Sequence, residues 1–123
     1  VMPNTPSLVG KGAAGLYAND QVKEKQKTMV ESVFNSIGSA LWVEDESLLH
    51  AVTALSGSGP AYFFLMLEAL EEAATDAGIA GETARALAIQ TMAGAAEMAS
   101  SNAMSCLPVA PQNRPSRPLK KVA

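Results

Sequence analysis

Two short stretches hold the residue types whose spacing suits chemistry. The first is Ser56-Gly57-Ser58-Gly59-Pro60, preceded by Ala51-Val52-Thr53-Ala54-Leu55 and followed by Ala61-Tyr62. Two glycines and two serines directly before a helix with Pro in its first turn offer backbone N–H groups, hydroxyls and the positive end of a helix dipole together. Such a group suits a carboxylate or a phosphate. The competing reading is a helix–helix joint whose glycines relieve crowding, and Gly-Ser turns before helices are common. A branched side chain at Gly59 is expected to crowd this turn. The second stretch is Met2-Pro3-Asn4-Thr5-Pro6, a rigid loop that displays an amide and a hydroxyl. A Pro-bracketed loop of this kind is more often only a turn.

Elsewhere the reactive residue types stand alone. His50 is the sole histidine, has no metal-ligand constellation around it and reads as an ordinary helix residue, so no metal site is expected. Cys106 is the one cysteine, with no neighbouring motif to make it a nucleophile. It permits no intrachain disulfide, nothing points to an oxidising compartment, and a cytoplasmic location is expected. The six methionines are scattered like core filler. Lys23, Lys25 and Lys27 interleave with Glu24 as on a solvated helix face.

The elements that must position the two stretches follow from period and punctuation. Residues 1–46 read as mixed α/β. Residues 2–6 should be an extended loop and not a helix, given the two prolines. Residues 12–18 supply a short strand. Val22, Met29, Val30, Val33, Phe34 and Ile37 recur at spacings near three and four, which predicts an amphipathic helix over 21–36, stopped by Gly38. A second strand follows at 40–43, closed by Glu44-Asp45-Glu46. From Ser47, a plausible N-cap, the pattern is all-helical: one helix from 48 to about 55, a break at 56–60, a second over 60–77 ending at Gly78, and a third over about 82–100. In 61–70 only Glu68 is charged, so the second helix needs neighbours on several sides. Ala84, Ala88, Thr91, Ala95 and Ala99 form a smooth stripe on the third that lets another helix approach closely. The expected result is a dimer.

Composition agrees with that division. In 123 residues, 48% are hydrophobic and 17% charged, enough for a core, while aromatics are only 5%, as suits close-packed helices rich in Ala and Leu. The net charge of −3 argues against a general nucleic-acid binder. Residues 1–101 hold five Lys or Arg against all twelve acids. Residues 102–123 hold Arg114, Arg117, Lys120 and Lys121 with no acid, and four of the seven prolines, so a disordered tail is expected there. No run approaches the roughly 20 apolar residues of a membrane span. Because the first residue is Val1, the expectation is a sequence that begins inside a longer reading frame or after processing, with no signal peptide before it.

Taken together, Val1-Met2-Pro3-Asn4-Thr5-Pro6, the 12–17 strand, the run Ala51-Val52-Thr53-Ala54-Leu55-Ser56-Gly57-Ser58-Gly59-Pro60-Ala61-Tyr62, and Gln90-Thr91 through Gly94-Ala95-Ala96-Glu97-Met98 resemble successive blocks of pyrroline-5-carboxylate reductase. The resemblance covers about residues 1–100. It implies that 1–46 are the end of a Rossmann domain that binds NADPH or NADH, that 47–101 are an incomplete helical dimerisation domain, and that the whole is mainly helical. It further implies hydride transfer to the imine carbon of 1-pyrroline-5-carboxylate, giving L-proline in the last step of proline biosynthesis. Thr53 is then the catalytic candidate, Ser56, Gly57, Ser58 and Gly59 line the substrate pocket, and Asn4 and Thr5 lie near the nicotinamide. The glycine-rich fingerprint that opens a Rossmann fold is not among these residues, so the main cofactor site is missing and the chain alone is expected to be inactive. The implied partner is a second copy through the helices, with a higher oligomer open and neither nucleic acid nor membrane involved. The alternative is a non-catalytic dimerisation module that pairs with itself or with a full-length subunit, and a third reading is a generic anion-binding helical domain.

Overall fold

The structure is a computed structural model that describes residues 1–101. The expected tail at 102–123, with Cys106, lies outside the described residues. Along the chain come a 3-10 turn (Thr5–Val9), strand β1 (Gly12–Leu16), helix α1 (Glu24–Asn35), strand β2 (Gly38–Trp42), helix α2 (Leu48–Val52), a π-helical turn (Thr53–Gly57), and helices α3 (Gly59–Asp76) and α4 (Gly81–Ser100). A short α/β remnant is thus followed by helices, as expected, and the chain is mainly helical.

β1 and β2 pair in parallel, from Gly12 opposite Gly38 to Leu16 opposite Trp42. Parallel neighbours require a crossover, and α1 supplies it. A Cβ on Gly38 would run into the backbone of Gly12, so the strands can start side by side only with glycine there. This pairing extends β2 to Gly38, two residues ahead of the expected start. On the far side of β1, Met2 forms an antiparallel bridge to Gly15, with N–H to O distances of 2.8 and 3.0 Å. β1 is therefore the buried strand, with Leu16 fully and Ala14 nearly enclosed, while β2 is mostly open.

Three local departures from the sequence reading have physical causes. The loop at 2–6 is extended at Asn4, but a 3-10 turn begins at Thr5 with Pro6 in its first turn, where a missing N–H leaves nothing unpaired. The helix expected from residue 21 begins at Glu24, because the Lys23 N–H donates to Gln26 Oε1 at 2.9 Å and closes the N-terminus there. The helix expected from 48 to about 55 leaves regular α geometry at Thr53 and runs on as the π-helical turn to Gly57, so the break expected at 56–60 is confined to a bend at Ser58 before α3.

The chain forms two compact units, Val1–Ala69 and a second from Leu70 onward. In the second, Ala84 is buried, and Arg85 Nη1 meets Glu71 Oε2 at 3.1 Å. Large apolar side chains remain uncovered on both helices: Tyr62, Phe63, Phe64, Leu65 and Met66 on α3, and Leu87, Ile89 and Met98 on α4. Among the described residues, no helix is long and apolar enough to cross a membrane.

Candidate functional site

The two chemically promising stretches meet. Asn4, 52 residues before Ser56 in sequence, donates from Nδ2 to the Ser56 carbonyl at 3.0 Å, and its Oδ1 accepts the Ala13 N–H of β1 at 2.8 Å. The Met2 methyl would lie only 2.8 Å from a Cβ on Gly57. One turn earlier, Val52 packs on Gly15 so closely that a Cβ there would lie 2.7 Å from Val52 Cγ1. Loop and strand are thus docked on α2 and the turn at three points, two apolar and one polar.

The hydroxyls and N–H groups of the turn are partly spent within it. Thr53 Oγ1 donates to the Leu49 carbonyl at 2.8 Å, and Ser56 Oγ donates to the Val52 carbonyl at 3.0 Å. The Ser58 N–H donates to the Thr53 carbonyl at 2.8 Å, five residues back, which is the bond of a π turn. These donors are engaged, but each hydroxyl oxygen keeps lone pairs with which to accept. Thr53 is exposed, Ser56, Gly57 and Ser58 are half-buried, and Gly59 is buried. The crowding expected at Gly59 is absent: nothing lies within 4 Å of a Cβ built there. Close approach falls instead on Gly15 and Gly57, because those glycines, unlike Gly59, face another element.

Beside the turn, an open cleft of about 600 Å³ is lined by Met2, Pro3, Asn4, Thr5, Ser7, Leu8, Phe34, Ile37 and Gly57. Its walls are mainly apolar, with an amide and two hydroxyls and no charged group. It therefore suits an uncharged group better than a diphosphate, which needs cations or a bed of N–H groups. Among the described residues, no group of three or more His, Cys, Asp or Glu could hold a metal ion.

Sequence reasoning singled out Asn4, Thr5, Thr53, Ser56 and Ser58, but not Ser7 on the cleft or the bond that links loop and turn. It missed Met2 as a packing contact and the π-helical turn itself. One signal for the turn was present: Pro60 stands four residues after Ser56, so the Ser56 carbonyl has no α-helical donor.

Comparison with known proteins places the chain in context. Residues 46–110 match the family model described as pyrroline-5-carboxylate reductase dimerisation. The chain is 48% identical over 113 residues to the pyrroline-5-carboxylate reductase of Haemophilus influenzae, covering 92% of this chain and 42% of that protein. A solved pyrroline-5-carboxylate reductase from Coxiella burnetii superposes with a TM-score of 0.78 at 51% identity, covering 81% of this chain and 37% of that one. A Plasmodium falciparum pyrroline carboxylate reductase with NADP bound gives 0.73 at 38% identity, with coverage of 80% and 40%. The chain thus spans about two-fifths of the length of these relatives.

Proposed function

The chain belongs to the pyrroline-5-carboxylate reductase family of oxidoreductases, and from that premise we propose that it forms the substrate-side, dimer-forming portion of such an enzyme. The observation that supports the reading is the Asn4 amide, which joins the 2–6 loop to the 56–59 turn. Residues 1–46 are then the end of the dinucleotide-binding domain and 47–101 part of the dimerisation domain.

A nicotinamide, when bound, supplies the hydride that reduces the imine carbon of 1-pyrroline-5-carboxylate to give L-proline. The cleft beside Asn4 and Thr5 is assigned to the nicotinamide end of NADPH or NADH, a reading that its mainly apolar, uncharged walls support. Thr53 donates its own proton to Leu49, so its oxygen is set to accept. It therefore favours a substrate nitrogen that carries hydrogen, as the protonated imine and the product amine both do. The 56–59 turn holds the rest of the substrate, and because the Thr53 and Ser56 hydroxyls donate within the helix, the Ser58 hydroxyl is the group assigned to its carboxylate. The protein's task is positioning of two rings at reacting distance.

The large apolar residues left uncovered at 62–66 of α3, and separately on α4, support pairing with a second copy. The same observation favours the second reading, a dimerisation module without chemistry. Titration of L-proline into the purified chain by calorimetry separates the two. Saturable binding that Thr53→Ala weakens by about tenfold, the worth of one hydrogen bond to a charged group, is the expected result. A chain that dimerises and binds no L-proline is the module.

A further inference from the structure

At the Ser56 carbonyl the helical backbone runs out of donors. In a regular α-helix this oxygen accepts from the N–H four residues on, and that residue is Pro60, which has none. The next N–H, on Ala61, donates to the Ser58 carbonyl at 3.1 Å instead. Ser56 is half-buried, so its carbonyl needs a partner from elsewhere, and Asn4 Nδ2 provides it at 3.0 Å. The far end of the same amide is tied to the Ala13 N–H of β1, so the donor is held in place by the sheet.

We infer that Asn4 is a positioning residue that stands in for the missing N–H of Pro60 and thereby fixes the π-helical turn carrying Thr53, Ser56 and Ser58. The inference rests on the reading of that turn as the substrate side of the site. Both ends of the Asn4 amide face inward to the chain, so its effect on a ligand passes through the turn, whereas Thr5, exposed beside it, is placed to meet a ligand directly.

The test is native-state hydrogen exchange, followed by NMR on the full 123-residue chain, in Asn4→Asp with and without Pro60→Ala. Asn4→Asp keeps the acceptor for Ala13 and sets an oxygen against the Ser56 carbonyl. Protection of the Ser58 N–H is expected to fall about tenfold, the effect of one lost hydrogen bond, while that of Ala13 stays near the parent value. Pro60→Ala gives Ser56 a backbone donor of its own and should restore Ser58 protection. If Asn4→Asp does not fold, Asn4→Ala serves: Ser58 and Ala13 both lose protection, and Pro60→Ala restores Ser58 alone. Unchanged Ser58 protection, or a loss that Pro60→Ala does not reverse, would overturn the inference. L-proline affinity, measured on the same samples, should fall and recover with Ser58 protection, and affinity that ignores it also counts against a positioning role. A parent chain that binds no L-proline defeats the functional reading, while the exchange pattern still decides whether Asn4 holds the turn.

Discussion

Gly15 sits buried in β1 with Val52 of α2 pressed against the place a side chain would occupy. Val is stiff at χ1 and cannot swing aside, so Gly15→Ala should lower stability by about 1–3 kcal/mol, read from the denaturant midpoint. Gly59→Ala is the control. Its Cβ meets nothing and its backbone is helical, so the midpoint should move by no more than about 0.5 kcal/mol. That contrast shows what a sequence can say of single residues. It identifies Thr53, Ser56 and Asn4 by chemical type, but which glycine is crowded depends on the element opposite, and no local pattern contains that. Asp45 offers a titration at the same scale. The Ser47 hydroxyl and then the Ser47 N–H, 2.7 Å from Oδ1, hold its carboxyl below the ordinary value, with slight desolvation opposing them. A depressed folded pKa means stability that is present above the unfolded value near 3.9 and lost as pH falls through the lower folded one. Asp45→Asn should therefore flatten the acid side of the melting-temperature profile below about pH 4 and leave its slope near neutrality unchanged.

Among the elements, α3 carries the plainest demand. Phe64 is 59% exposed and Leu65 65%, on a helix whose only charge before Leu70 is Glu68. Burying such side chains in a partner is worth about 1.5–3 kcal/mol each. Phe64→Glu should therefore raise the dimer dissociation constant by at least tenfold, read by sedimentation velocity across a dilution series, with the far-UV circular dichroism of the chain unchanged. The strands and helices are legible in the sequence to within a few residues, because glycine punctuation and a period of three to four residues are local signals. The passage from α2 into α3 is not. Locally, Ser-Gly-Ser-Gly-Pro reads as a break, whereas the π-helical turn runs on to Gly57, only Ser58 lies outside a helix, and a side chain 52 residues away meets the Ser56 carbonyl.

For the molecule as a whole, the described residues bury few large side chains. The buried hydrophobic set is Ala14, Leu16 and Ala84, against many large apolar side chains left open. The family match over residues 46–110, the dimerisation region, says which part of the chain associates in its relatives. The proposed function requires both a site built from the 2–6 loop and the 56–59 turn and a helical surface able to pair with a second copy. The measurement that tests this most directly is sedimentation equilibrium of the purified chain at micromolar concentration. A species of twice the 12.7 kDa chain mass, dissociating on dilution, is the expected result. A folded species that stays at 12.7 kDa at every concentration would contradict the account.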